Sequence, residues 1–382
     1  MVKKAANPWL RGLLRAGKQQ QRALSRVFTA MAAAPKPARA TARPIPKPKA
    51  KRVATAPPRA SGTAGGAAAG TATGAPGASA PPIGKWLASH FTGPADNNAV
   101  RRLSYWLYLP DNPPTPQALP LIVMLHGCDQ SATQFADGTR MNQWAQKLGY
   151  AVLYPQQSRA GHPHRCWKWY DRATQQGGGE VGLIVGMIGK VMAQYPVDRQ
   201  RIYISGLSAG AGMAHIVALH HPDLFAAIGL HSGPLFGAGH STLGALGVMK
   251  HGASHRVDSA IEEILLKRPG FPALPTMLIQ GEDDDVVRPV NQIQLMRQAQ
   301  LVNRMDPAQL QFVTATRAAT RASNPHSIHD TRRGNKTILR VARIDKLKHA
   351  WSGGDARLNY NCATGPDASK MLLDFFSRHR RA

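Results

Sequence analysis

The sequence predicts an α/β protein: a mostly parallel, doubly wound sheet with helices on both faces, preceded by a basic, disordered N-terminal tail. Three observations predict it. Short strand signals alternate with helical spacings across residues 84–382, the pattern of strands joined by crossover helices. Runs such as Leu121–Leu125 are continuously apolar, as in parallel strands buried on both faces. Composition changes abruptly near Gly84, because Asp96 is the first acidic residue of the chain.

The tail carries much of the charge. The 382 residues hold 48 Lys and Arg against 21 Asp and Glu, a net charge of +27. Residues 1–59 contain 15 of the basic residues and no acid. Residues 8–33 read as a basic amphipathic helix, with Leu10, Leu13, Leu14, Leu24, Val27, Phe28 and Met31 on one stripe and a break around Gly17, Gln20 and Gln21. Ala34–Pro82 is rich in Ala, Pro, Lys, Arg and Gly with almost no large apolar residue. Such a stretch cannot offset its chain entropy and reads as a disordered linker. The division expected is therefore 1–83 as basic segment and 84–382 as folded domain. Three roles fit residues 1–59: a solubilising tail, a non-specific tether to a polyanion, or an anchor on a granule surface. The length of 84–382 allows a large core. Three Cys are too few for a disulfide framework, and no apolar run reaches the roughly 20 residues of a membrane span.

The folded part begins with a half-buried strand at Leu103–Leu109, where apolar and polar residues alternate. Leu121–Leu125 follows as a buried strand, Ser131–Leu148 as a helix, and Ala151–Tyr154 as a strand closed by Pro155. Glu180–Tyr195 is helical, Arg201–Ser205 a strand, Ala209–His221 a helix and Ala226–Leu230 a strand. Thr276–Ile279, Val290–Val302, Thr337–Ile344 and Asp367–Arg378 continue as strand, helix, strand and closing helix. Ser254–Pro275 and Asn303–Asn335 read as insertions. In such a sheet the loops at the strand C-terminal ends form the site.

Gly206-Leu207-Ser208-Ala209-Gly210 follows an apolar strand and opens a helix. This is the strand–turn–helix setting of a nucleophile elbow, whose tight turn needs small neighbours around the Ser. Ser208 is the candidate nucleophile, at a helix N-terminus that favours developing negative charge. In α/β-hydrolases one oxyanion donor is the amide after the nucleophile and the other comes from the loop after an earlier strand. Those positions are Ala209 and Cys128, the latter in His126-Gly127-Cys128. His126 itself reads as a loop-ordering residue. The orienting acid belongs after Ser208 and the base after the acid. Strand Thr276–Ile279 leads into Glu282-Asp283-Asp284-Asp285, and spacing leaves Asp283, Asp284 and Asp285 equivalent. His349, just after the last strand, is the candidate base. His162, His164, His326 and His329 have no metal-site spacing, so neither metal nor cofactor is expected.

Together these residues carry a resemblance. His126-Gly127-Cys128-Asp129-Gln130-Ser131, Tyr154-Pro155-Gln156-Gln157, Cys166-Trp167-Lys168-Trp169-Tyr170, the elbow, Gly281 to Pro289 and His349-Ala350-Trp351-Ser352-Gly353-Gly354 occur in order. Residues of about 84–380 resemble the esterase/polyhydroxybutyrate depolymerase family of α/β-hydrolases. The resemblance implies a serine esterase that forms an acyl-enzyme on hydroxyalkanoate oligomers or related short-chain esters. A feruloyl or acetyl carbohydrate esterase is the alternative, and a surface-association protein driven by its tail is another. The family pattern His-Gly-x-x-Asp-x-x-Val-x-Pro selects Asp284, with Gln280 in place of the usual His. Cys128 and Cys166 fall in these motifs, and a disulfide in an oxidising compartment or two buried thiols both fit. Trp167, Trp169 and Trp351 are candidates to wall an acyl pocket or to fill core. The resemblance suggests the extracellular region. No signal-peptide pattern is legible, which leaves a cytoplasmic or granule-bound location as the alternative.

Overall fold

The computed structural model describes residues 84–94, 100–111, 113, 118–253, 256–306, 308 and 310–381. The amphipathic helix expected over 8–33 and the linker expected over 34–82 lie outside these residues. The strands are β1 Lys85–Pro94, β2 Val100–Leu109, β3 Leu119–Leu125, β4 Ala151–Gln156, β5 Val197–Leu207, β6 Ala227–His231, β7 Thr276–Gly281, β8 Gln311–Arg317, β9 His326–Arg333 and β10 Lys336–Ile344. Two short strands, β11 Trp351–Ser352 and β12 Asn361–Cys362, pair apart from the main sheet. The helices are α1 Ala132–Thr139, α2 Met141–Leu148, α3 Arg172–Gln175, α4 Val181–Gln194, α5 Ala209–His220, α6 Thr242–His251, α7 Ser259–Lys267, α8 Val290–Val302 and α9 Ala368–Phe376.

The ten-stranded sheet has the order β1-β2-β4-β3-β5-β6-β7-β10-β9-β8. Its centre, from β4 to β10, is parallel. Antiparallel pairs close both edges. The strand order reverses between β3 and β5, the kind of switch point at which open α/β sheets place their sites, outside the C-terminal ends of the strands.

Alternation within the buried strands builds two cores. On β3, Leu121, Val123 and Leu125 face one layer with α4 and α5, where they join Met187, Ile204 and Val217. Ile122 and Met124 face the other, with Phe135, Tyr203, Phe375 and Phe376. All seven residues of β3 are buried, which is why the strand reads as an unbroken apolar run.

Three sequence expectations change. The single helix at Ser131–Leu148 is two helices, α1 and α2, because Arg140 turns left-handed at φ 54° and its N–H caps α1 on Asp137 O. Gly138, just before the break, lets the 355–361 loop approach: a Cβ there would meet Asn361 Cγ at 2.9 Å. The segment Asn303–Asn335 is no mere insertion, since β8 and β9 within it extend the sheet. Every residue of β8 is exposed, so no buried face marks it in the sequence. Ser254–Pro275 likewise contains α7. Among the described residues, no helix is long and apolar enough to cross a membrane.

Candidate active site

Four central strands, β5, β6, β7 and β10, end side by side, and each delivers part of the site. After β5 the chain turns sharply at Ser208, whose φ of 58° and ψ of −123° are unusual for a residue with a side chain. Such a conformation costs on the order of 1–3 kcal/mol and persists only where its surroundings enforce it. Here Ser208 N–H donates to His231 O at 3.0 Å, and Ser208 O accepts the first helical bond of α5 from Gly212 N. The flanking glycines are steric necessities. A Cβ on Gly206 would lie 2.7 Å from Leu125 O, and one on Gly210 would lie 2.5 Å from His126 O.

The loop after β3 lies on this elbow: a Cβ on Gly127 would sit 3.5 Å from Ser208 Cβ. Gly127 N–H donates to Gln130 Oε1 at 2.8 Å. His126 is fully buried, and burial pushes its pKa down to about 4. Its Nε2 accepts from Gln157 N–H at 3.1 Å, so the Nδ1 proton goes to Gly127 O at 2.8 Å. With both nitrogens committed, His126 orders the loop and has no lone pair for a substrate proton. Cys128 is joined to Cys166 by a disulfide. Asp129 N–H reinforces that junction by donating to His164 O at 2.6 Å. The loop that presents the Cys128 amide is thus tied both covalently and by hydrogen bonds.

Beyond β7, Asp284 is buried while Asp283 and Asp285 are exposed. Asp284 Oδ1 accepts from Val286 N–H at 3.0 Å and Val287 N–H at 2.9 Å. Its Oδ2 accepts from Gln280 Nε2 at 3.1 Å and faces His349 Nδ1 at 2.8 Å. Burial works to raise the Asp284 pKa. The hydrogen bond and charge of His349, the Val287 amide and, more weakly, the Ser232 hydroxyl outweigh it and hold the carboxyl below its usual range. An ionised Asp284 can only accept, so the proton on His349 sits on Nδ1 and leaves Nε2 with a free lone pair. The acid and base loops are laced together by backbone: Glu282 N–H donates to Ile344 O at 2.9 Å and Asp283 N–H to Leu347 O at 3.1 Å.

The structure therefore joins Asp284 to His349 directly. Ser208 stands at the end of the strand two places along and its Oγ makes no hydrogen bond to either. Catalytic hydrogen bonds of this kind are often loose before substrate closes the site. The Trp reading changes. Trp167 and Trp351 are fully buried and Trp169 is 3% exposed. Trp167 Nε1 donates to His126 O at 3.1 Å. Trp351 stacks on His231 at 5.1 Å and donates to Ser369 Oγ at 3.2 Å. With almost no ring surface open, the three indoles pack behind the site loops and do not wall an open acyl pocket. Two residues escaped the sequence reading: His231 and Ser232, at the end of β6 between the nucleophile and acid strands. Their only signal was two polar residues terminating an apolar strand.

This fold, with an elbow Ser, a strand-end Asp bonded to a strand-end His, and a tethered loop beside the elbow, defines an α/β-hydrolase. The model of the family described as esterase PHB depolymerase matches residues 103–324. The chain belongs to that family. The match includes Ser208 and Asp284 and ends before His349. Similar relatives include a poly(3-hydroxybutyrate) depolymerase of Ralstonia pickettii, 31% identical over 162 residues, or 40% of this chain and 33% of the relative. A poly(3-hydroxyalkanoate) depolymerase C of Paucimonas lemoignei is 27% identical over 229 residues, or 58% and 53%. A feruloyl esterase B of Neurospora crassa is 35% identical over 132 residues, or 34% and 43%. The matches thus span from a third to about half of these relatives' length. Among solved structures, an acetyl xylan esterase from Aspergillus awamori superposes with a TM-score of 0.58 at 18% identity, covering 76% of this chain and 99% of that one. That likeness is one of fold.

Proposed function

We propose that the protein is a serine esterase that hydrolyses carboxylic esters through an acyl-enzyme on Ser208. The observation that carries this reading is the 2.8 Å contact between His349 Nδ1 and a buried Asp284 carboxylate at strand ends beside the elbow. His349 Nε2 takes the Ser208 proton as Oγ attacks the ester carbonyl carbon. The carbonyl electron pair moves to oxygen, where the backbone N–H groups of Cys128 and Ala209 receive the negative charge. Collapse of this intermediate breaks the bond to the alcohol oxygen, which leaves with the proton from His349. Water then repeats the sequence: it gives a proton to His349, its oxygen bonds to the acyl carbon, and the acid departs as Ser208 recovers its proton. Asp284 stays ionised throughout and holds the ring.

Hydroxyalkanoate oligomers and related short-chain esters are the substrates this reading favours. The similarity to a feruloyl esterase keeps an acylated carbohydrate as a second substrate class. The basic residues of 1–59 are read as an attachment segment for a polyester surface or a polyanion, acting apart from the chemistry. An extracellular location accords with the disulfide, since such bonds persist in oxidising compartments. A hydrolysis screen tests the substrate: p-nitrophenyl acetate and butyrate, 3-hydroxybutyrate oligomers, methyl ferulate and acetylated xylan. Turnover of the simple esters and the oligomers supports the reading. Turnover confined to ferulate or acetylated xylan moves it to the carbohydrate class, and no turnover of any ester rejects it.

A further inference from the structure

Glu180 is a carboxylate that takes no step in the proposed hydrolysis, yet it is only 1% exposed. Burying such a group is costly unless donors meet its oxygens. It stands just before α4 and makes no cap bond to that helix. Its oxygens are answered from elsewhere. Gln157 Nε2 donates to Oε1 at 2.9 Å, Lys168 N–H donates to Oε2 at 3.3 Å, and the Arg101 guanidinium lies 3.5 Å from Oε1. Every group it meets is a donor, the complement of a carboxylate.

Two of these partners lead to the loop that offers the Cys128 amide. On one side, Gln157 is fully buried, and its own N–H donates to His126 Nε2 at 3.1 Å. His126 Nδ1–H then donates to Gly127 O at 2.8 Å. The Gly127 carbonyl and the Cys128 N–H belong to one planar trans peptide, so they point in opposite directions. Holding that oxygen therefore aims that N–H. The Gln157 amide is itself fixed, because its Oε1 accepts Ser158 N–H at 2.9 Å; exchanging its ends would set acceptor against acceptor at Glu180. On the other side, Lys168 lies two residues from Cys166, which is bonded to Cys128. Its neighbour Trp167 donates from Nε1 to His126 O at 3.1 Å.

We propose that Glu180 is a positioning residue for the oxyanion hole: its buried carboxylate fixes Gln157 and Lys168, which hold His126 and the Cys166–Trp167 stretch against the Gly127–Cys128 peptide and keep the Cys128 N–H aimed at the developing oxyanion. The proposal rests on the serine-esterase reading.

The test uses the full chain, Glu180→Gln, Gln157→Ala and the double variant, assayed on p-nitrophenyl butyrate. Active sites are counted by a fluorophosphonate so that unfolded protein does not enter kcat. Glu180→Gln puts an amide N–H among donors. It is expected to lower kcat on the order of tenfold, less than complete loss of an oxyanion donor would, with KM little changed. A trifluoromethyl ketone, which Ser208 converts to a tetrahedral oxyanion adduct, should bind more weakly by the same factor as kcat/KM falls, because it uses the same donors. The acid limb of kcat/KM, which reports His349, should stay in place. Gln157→Ala cuts one of the two routes, together with the local Ser158 bond, and leaves the carboxylate with Lys168 and Arg101. It should show the same pattern. The double variant should lose less than the product of the two single losses, since both cut the Gln157 bond. A lower Tm with normal kcat per active site in Glu180→Gln overturns the inference. So do an unchanged ketone affinity while kcat falls, a moved acid limb, or fully multiplicative losses. If Glu180→Gln gives no soluble protein, Gln157→Ala decides by the same readouts of kcat, ketone affinity and acid limb. If the wild type neither turns over esters nor takes the fluorophosphonate, the esterase reading fails instead.

Discussion

His349 Nδ1 and Asp284 Oδ2 meet at 2.8 Å across 65 residues of chain. The contact exists because β7 and β10 are parallel neighbours, with Ile344 registered against Gly281. A strand pair of that kind delivers both following loops to the same end of the sheet. The Asp therefore costs the base no search for a partner, and the ring is oriented before any substrate arrives.

Among the clustered acids, only the buried one should matter. Asp284→Ala is expected to lower kcat by roughly 10³–10⁴-fold, because a misoriented or wrong-tautomer imidazole cannot take the Ser208 proton. Asp283→Ala and Asp285→Ala should stay within a few-fold of wild type. Steady-state kinetics on p-nitrophenyl butyrate checks this, and a crippled Asp283 or Asp285 variant would displace Asp284 from its role.

The lowered pKa of Asp284 predicts a stability signature. A carboxyl with a depressed folded-state pKa adds stability that is fully present above its unfolded value of about 3.9 and is lost as pH falls through its folded value. The Tm gap between wild type and Asp284→Asn should thus narrow as pH falls from about 4 toward 2. Thermal melts across that range read it directly; a gap that stays the same or widens below about pH 4 contradicts the assigned ionisation.

Gly210→Ala should reverse the usual trend. In a helix this change ordinarily stabilises by about 0.5–1 kcal/mol. Here the added methyl would drive into the backbone carbonyls of Leu125 and His126, which cannot swing away as a side chain can. Loss of at least about 2 kcal/mol, or no soluble protein, is expected. A denaturant melt that shows higher stability would refute the tight crossing of β3 and the elbow.

The Cys128–Cys166 bond holds the loop that offers the Cys128 amide. Cys166→Ser should lower stability by about 2–5 kcal/mol and reduce kcat more than KM, because an oxyanion donor acts mainly in the transition state. Equal kcat in the oxidised and reduced protein would release that loop from any catalytic part.

Much of this candidate site is legible in the sequence. Ser208 announced itself because the elbow needs Gly206 and Gly210, and His349 because it follows the last strand. Asp284 was one of three equivalent acids by spacing; the family pattern chose it, and burial distinguishes it physically. What stayed hidden depends on contacts across strands. His231 bonds to Ser208 and Ser352 and the Ser232 backbone to Ile279, all far away in sequence, and nothing in their neighbours signals that. The strands β8 and β9 were illegible for another reason: β8 has no buried face, and β9, which pairs with β10 by backbone, has a charged residue, Asp330, at a buried position where it meets Arg340 at 2.7 Å. The break at Arg140 rests on a left-handed turn at a residue other than glycine, which a helical spacing cannot foresee.

The chemistry and the tail should separate. Deleting residues 1–83, a segment without a single acidic residue, is expected to leave turnover of small soluble esters nearly unchanged while altering adsorption to polyester granules or polyanions. Adsorption to a polyanion should weaken steeply with added salt as counterions compete. Small-ester turnover that collapses on deletion would mean that the segment is part of the catalytic domain.

The central claim is that Ser208 is the nucleophile, and its most direct test is the site of covalent modification. Wild-type protein is treated with a fluorophosphonate, digested and sequenced by mass spectrometry. The account predicts one adduct, on Ser208, absent from Ser208→Ala and formed far more slowly in His349→Ala. An adduct on another residue, or full ester turnover by Ser208→Ala, would contradict it.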